Sequence, residues 1–296
     1  MRHYLLYSNI FLAALLFFIQ GCARPALQTY PASELEVGLV TEAFTRYQEI
    51  NEKSCSCCLD AEADAALSVS GWFTDHSGKV SGYLQAMQPG YIKFVAINPL
   101  GQPLFILVTN GTVFKSLNVF EEKAYLGSVH SEAYKKFAPP GFEPDFSYYW
   151  LVGRLQPGDN EIHAVMHDRE LEQFWLQISH ANSSIESLIL FDPMELVILR
   201  HVMMDEHGKH LLDMSYADHQ ALFGKTDKYS GGESAAIPKS IEQEDLCKVP
   251  ARITLSSREN ASKIELKLSS FLEDAHFSAD DFLLDIPDNF EQILVK

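Results

Sequence analysis

No apolar run in this 296-residue chain is long enough to cross a bilayer: residues 10–19 are the longest candidate, and a spanning helix needs about twenty. There is no nucleophile elbow, phosphate loop or dinucleotide fingerprint, so the motif-borne routes to acyl, phosphoryl and hydride transfer are missing. Basic residues are scarce, 23 Lys and Arg against 40 Asp and Glu, for a net charge of −17. That balance disfavours nucleic acid and anionic lipid headgroups as electrostatic partners. No Pro/Ser-rich linker or internal repeat divides the chain, so one large domain is expected. Cysteine is sparse, with five residues, and Cys55-x-x-Cys58 has no second C-x-x-C to complete a zinc site. His163 and His167 fall on one face of an expected strand, and His207 and His210 flank a turn; two ligands do not make a metal centre. Glu121-Glu122 and Asp280-Asp281 read as solvated turns. Neither a metal nor a cofactor is expected, and the protein reads as no enzyme.

What is present begins at the N-terminus. Arg2, the apolar run 10–19 and Gln20-Gly21-Cys22 have the form of a signal peptide. Ile19-Gln20-Gly21-Cys22 resembles the lipobox of bacterial lipoproteins, which implies cleavage after residue 21 and acylation of Cys22. Several acyl chains on one cysteine give stable membrane anchoring. Ala23 follows Cys22, where an aspartate would resemble an inner-membrane retention signal, so the outer membrane is expected. The chain then divides into a signal peptide (1–21), a lipidated tether (22–32) and a single domain (33–296).

The domain is organised around residues 66–127. Six strands are expected there, at 67–74, 80–88, 91–97, 103–109, 112–120 and 122–126, broken by turn sequences of which Asn110-Gly111 is the sharpest. Asn-Gly favours a two-residue type I′ hairpin turn with positive φ at both residues. Several strands are apolar on both faces: Ile92, Phe94 and Ala96 oppose Tyr91, Val95 and Ile97, and Leu104, Ile106 and Val108 oppose Phe105 and Leu107. Such a sheet must be covered twice. The pattern fits a packed sandwich, or a curved half-open barrel whose apolar lumen a helix covers.

Ser33-Glu34-Leu35-Glu36 has the form of a capping box for an amphipathic helix at 33–50, with Val37, Val40, Phe44 and Tyr47 at helical spacing. Short helices are expected at 131–137 and 146–152, the latter capped by Asp145 and presenting Phe146, Tyr149 and Trp150 inward. Strands follow at 161–167, 173–179, 184–191, 196–205, 209–216, 250–257 and 263–271, about thirteen in all. Residues 218–247 form a polar excursion. Cys55, Cys57, Cys58 and Cys247 are disulfide candidates in an oxidising envelope. A vicinal Cys57–Cys58 bridge is sterically poor, so one of the cluster is expected to reach Cys247.

Gly71-Trp72, Asn98-Pro99-Leu100-Gly101-Gln102, Asn110-Gly111, Tyr125 before Gly127, and the stretch from Tyr149-Trp150 to Gln156-Pro157 follow the order seen in the LolB-like outer-membrane lipoprotein receptors. The tail, with Phe282-Leu283-Leu284-Asp285-Ile286-Pro287, is similar to the broader LolA/LolB-like family. The resemblance covers most of 64–157 and 249–287; the middle departs from it. It implies a mainly β, α+β fold: an unclosed antiparallel β-barrel covered by helices, whose lumen holds acyl chains in lipoprotein or lipid transfer. A periplasmic carrier protein would be a further partner beside the membrane. The candidate cavity residues are Trp72, Tyr83, Phe94, Phe105, Phe114, Tyr149, Trp150 and Trp175, although alternation alone does not choose the luminal face. The alternative is an envelope scaffold that uses the same fold without a ligand.

Overall fold

The computed structural model describes residues 28–53, 55, 57–70, 75–135, 144–158, 160–180, 184–222, 247–257, 262–272 and 275–296. The signal segment, Cys22, Trp72 and most of the polar excursion lie outside these residues.

Strand β1 (Thr29–Pro31) leads into helix α1 (Glu34–Lys53). The capping box forms: the Ser33 N–H and hydroxyl both donate to the Glu36 carboxylate at 2.7 Å, and the Glu36 N–H returns to Ser33 Oγ at 3.4 Å. These bonds hold the Glu36 carboxyl below its ordinary pKa. Val40, Phe44 and Tyr47 are the buried residues of the helix, spaced so that one stripe faces the sheet.

Six strands follow, β2 (Cys58–Ser70), β3 (Asp75–Met87), β4 (Tyr91–Ile97), β5 (Pro103–Thr109), β6 (Val113–Asn118) and β7 (Lys123–Ser128). A connection with short helices α2 (Glu132–Lys135) and α3 (Ser147–Leu151) leads to β8 (Asn160–Asp168), β9 (Phe174–His180), β10 (Glu186–Asp192), β11 (Val197–Met204), β12 (His210–Leu222), β13 (Cys247–Ser257), β14 (Ser262–Ser269) and β15 (Glu291–Val295). All belong to one 15-stranded sheet in the order β1-β8-β9-β10-β11-β12-β13-β14-β2-β3-β4-β5-β6-β7-β15. Every pairing is antiparallel except β15 with β7. The sheet is not closed: β1 and β15 are its edges.

Alternation sorts the strand residues into a helix face and an outer face. The helix face carries the main core, in which Phe44, Tyr47 and Val40 meet Leu59, Ala61, Leu84, Leu176, Ile189, Phe191, Met214 and Ile253. The double cover demanded by β4–β7 has an unforeseen source. Residues 275–290 run over the outer face, where Lys93 Nζ donates to the Asp281 carbonyl (3.1 Å), Lys115 Nζ donates to the Leu284 carbonyl (3.0 Å) and Tyr91 packs on Phe282. Val108, Leu117 and Ala124 are buried beneath. The chain then adds β15, beyond the Pro287 at which the resemblance ends the fold.

Other expectations are corrected. Asn110-Gly111 is not a two-residue type I′ turn: only Gly111 has positive φ (87°). Asn110 Oδ1 instead accepts from the N–H groups of Thr112 (3.0 Å) and Val113 (2.9 Å), so a side-chain turn spans three residues. Asp145 does not cap α3. It lies in a 3-10 turn, Pro144–Phe146, and no side-chain bond caps the helix. Cys55 pairs with Cys247, as one of the cluster was expected to, and Cys57 pairs with its neighbour Cys58, the bridge that sterics disfavoured.

Gly82 on β3 pairs with Ala96 of β4, and a Cβ there would overlap the Val95 carbonyl oxygen. Gly82→Ala should therefore destabilise the protein by about 1–3 kcal/mol, read as a lower urea midpoint at unchanged slope. An unchanged midpoint would contradict this packing.

Candidate functional site

The helix face divides into two halves. Over β8–β13 the protein's own side chains fill it. Phe191 meets Phe44 at 5.4 Å edge-on and Tyr47 at 5.6 Å, and Trp150 and Tyr148 are buried beside them. Over β4–β7 the cover is thinner. Pairing of Phe94 with Leu107 and of Ala96 with Phe105 aligns these apolar groups on one face. Phe94, Leu107, Tyr125 and Leu266 are half-buried, and Phe105 is 36% exposed.

The candidate cavity residues separate accordingly. Phe94, Phe105 and Phe114 share the helix face, with Phe114 packed on Tyr134 at 5.4 Å. Tyr149 is half-buried at the core margin, while Trp150 belongs to the core itself, as does its neighbour Tyr148 in place of the expected Phe146. Two candidates are corrected. Tyr83 pairs with Glu62 and Val95 on the outer face and is 48% exposed. Trp175 is also on the outer face, in a separate cluster with Leu188, Leu190 and Val202. Its indole N–H donates to Asp168 at 2.8 Å, and Arg200, held by Asp213, lies over its ring. Aromatic character alone does not reveal strand phase, and the large outer-face cluster has the same composition as a luminal one. His163 and His167 do not share a face either. A bulge between Ile162 and Ala164 divides them, so His163 bonds Ser179 while His167 lies between Tyr30 and Phe174. Among the described residues no group of three or more His, Cys, Asp or Glu is placed to hold a metal.

Two features escaped the sequence. The first is a cavity of about 250 Å³ between the C-terminal end of α1, the β3–β4 turn and the segment after α3. Arg154 lines it and is only 5% exposed. Its Nη2 donates to Cys247 Sγ at 2.8 Å and it bonds the Tyr148 side chain, but its Nε has no partner among the described residues. Burial raises the pKa of Tyr47 and Tyr148, and the Arg154 charge opposes the shift in each. Side-chain amides of Gln48, Asn51, Gln88, Gln156 and Asn160 complete the polar wall.

The second is a buried polar chain on the helix face of β8–β11. His180 Nδ1 lies 2.7 Å from Asn160 Oδ1, His180 Nε2 2.6 Å from Ser187 Oγ, and Ser187 Oγ 2.7 Å from His201 Nε2. Asn160 Oδ1 can only accept, so His180 carries its proton on Nδ1 and accepts at Nε2 from the Ser187 hydroxyl. Ser187 in turn accepts from His201 Nε2–H. His201 Nδ1 is left as a bare acceptor without a partner among the described residues. Burial depresses both imidazoles, His201 to about 3, with His180 adding to the effect. A single histidine at a core position of an alternating strand was the only signal available for each.

No family model matches the chain, and no curated protein sequence matches it. Solved structures do. A domain described as an outer membrane lipoprotein-sorting protein domain from Vibrio parahaemolyticus is similar over 82% of this chain and 97% of its own, at 11% identity and a TM-score of 0.51. A LolA superfamily protein from Nitrosomonas europaea covers 83% of this chain and 97% of its own, at 8% identity and a TM-score of 0.45. The first of these is close enough to show a fold. The chain shares that domain's fold, an unclosed, mainly antiparallel β-sheet with helices against one face, which is the architecture the LolA/LolB-like resemblance of the sequence implied.

The buried histidines set a pH dependence. The ordinary value is 6.5, and the folded value of His201 lies below it. Between those limits the unfolded chain binds a proton that the native state refuses. The contribution of His201 to stability is therefore complete above pH 6.5 and falls as pH drops toward 3, by up to about 1.4 kcal/mol per pH unit. Urea midpoints between pH 7 and 4 should fall less steeply in His201→Asn than in the parent. Equal slopes would mean that His201 is not held neutral.

Proposed function

We propose that this protein is an envelope lipoprotein, anchored through acylated Cys22 and facing the periplasm, that holds acyl chains of lipids or lipoproteins against the open half of its helix face. It acts by binding and handing on a ligand, without catalysis. The observation that carries this reading is the row of Phe94, Leu107 and Phe105, apolar and partly uncovered while the neighbouring half of the same face is tightly filled.

An apolar surface of this kind gains roughly 25 cal/mol for each Å² it removes from water, so an acyl chain can be held with no charged group. Such a patch on a soluble domain marks a binding surface. The described chain starts at Gln28, close to Cys22, so the tether reaches at most about 20 Å. Exposed Leu39 and Met194 lie together at that end of the molecule and would face the anchoring membrane. The likeness to a lipoprotein-sorting domain agrees with an envelope setting. A periplasmic carrier that delivers the ligand would complete the reaction sequence.

A ligand-free scaffold is the second reading, and Phe44, Tyr47 and Trp150 favour it by occupying half of the hollow themselves. One measurement separates the two. A soluble Cys22→Ala protein should bind a fluorescent fatty acyl probe, and Phe105→Asp should weaken that binding by about tenfold or more, because a carboxylate would have to be desolvated by the chain. Absence of both bound lipid and probe uptake in the parent would leave the scaffold.

A further inference from the structure

We infer that the cavity beside Arg154 is an anion-binding site for a carboxylate or phosphate group, and that it takes the charged head of the acyl ligand. The assignment to an acyl ligand rests on the binding reading above; the anion site itself rests on Arg154.

Guanidinium keeps its charge at any pH a protein meets, so it cannot escape burial by losing a proton. A buried charge without a counter-charge is costly. Arg154 is 5% exposed, yet among the described residues its side-chain partners are a sulfur, Cys247 Sγ, and the phenol of Tyr148. Neither neutralises it. The carboxylate on the cavity wall is Glu52, near the exposed end of α1, and no ion pair joins it to Arg154. Its Nε is buried and without a partner among the described residues, which leaves the guanidinium short of both a counter-charge and a hydrogen bond; an arginine fork that lines a cavity matches the paired oxygens of a carboxylate or phosphate.

The rest of the wall supports the same ligand. Asn160 spends its Oδ1 on His180, which leaves its amide N–H groups for the cavity. Gln88 and Gln156 can donate beside it. A space of about 250 Å³ suits a head group and the first few carbons of a chain, not a whole lipid. Tyr149, half-buried and on the wall, gives the apolar margin over which a chain would leave.

The test uses the full mature chain carrying Cys22→Ala, with laurate, dodecyl phosphate and uncharged methyl laurate as chain-bearing probes, and acetate and inorganic phosphate as chain-free ones. Titration calorimetry should give laurate or dodecyl phosphate at least about tenfold tighter binding than methyl laurate, the effect of one charge-assisted bidentate contact. Arg154→Met should abolish that preference. Which charged probe wins distinguishes a carboxylate from a phosphate ligand. Equal affinity for charged and uncharged probes in the parent, or a preference surviving in Arg154→Met, overturns the assignment. If no chain-bearing probe binds, the acyl reading fails, and the anion site is decided separately: acetate or phosphate must raise the melting temperature of the parent and not of the variant, or the site falls. Arg154→Lys, which keeps the charge without the fork, serves if the methionine variant does not fold, and should retain part of the charge preference. A structural role for Arg154 predicts instead that Arg154→Met is less stable than the parent in anion-free buffer; relief of a buried charge predicts that it is no less stable.

Discussion

Three rings meet where α1 crosses the sheet, and the rest of the arrangement follows from that contact. Phe44 and Tyr47 pack against Phe191 of β10 with centroids 5.4 and 5.6 Å away. Each buried ring contributes about 1.5–3 kcal/mol, which a helix containing Gly38, Thr41 and Thr45 requires, since its intrinsic propensity is modest. The contact fixes α1 over β8–β13 and directs its C-terminal end toward β13, where Cys55 meets Cys247. A bridge closing a loop of this length restricts the unfolded chain by about 5 kcal/mol in the chain-entropy account. What α1 covers is thereby settled, and so is what it leaves uncovered.

The uncovered half is stable because its other side is shielded. Strands apolar on both faces would expose one of them if a single layer lay over the sheet. The C-terminal segment lies on the outer face of β4–β7, clipped by Lys93 and Lys115 to its carbonyl groups, and ends as a parallel strand against β7. That cover buries Val108, Leu117 and Ala124 on the outer side. Apolar surface remaining on the helix side can then be given over to binding without loss of the fold.

Polar groups inside this core fall into two kinds, separated by whether they can be neutral. His180, Ser187 and His201 satisfy one another as uncharged groups, at the cost of one bare acceptor. Arg154 has no neutral form. A fold that keeps it at the edge of a cavity beside amide donors carries a cost in the empty state which an anion would remove. Histidines of this kind limit stability in acid; the arginine gives the cavity a sign.

Much of this was legible in the residues. The capping box of α1, the stripe Val40-Phe44-Tyr47, the paired strands from residue 80 to 126 and the need for two-sided cover follow from local chemistry, which acts over a few residues, whereas residues 75–78, whose Gly78 suggests a turn, lie inside β3. The half-barrel architecture came from the resemblance, and its geometry from the structure. The phase of each strand was not legible. The bulge at Ile162–Ala164 turned His163 outward, and Tyr83 and Trp175 face outward in regular register, a phase that alternation of apolar residues on both faces does not fix. Nor could the sequence place Arg154 among three tyrosines, match Cys55 with Cys247, or lay residues 275–290 over strands more than a hundred positions earlier. Those depend on contacts distant in the chain, and only the closed packing of the whole sheet selects among them.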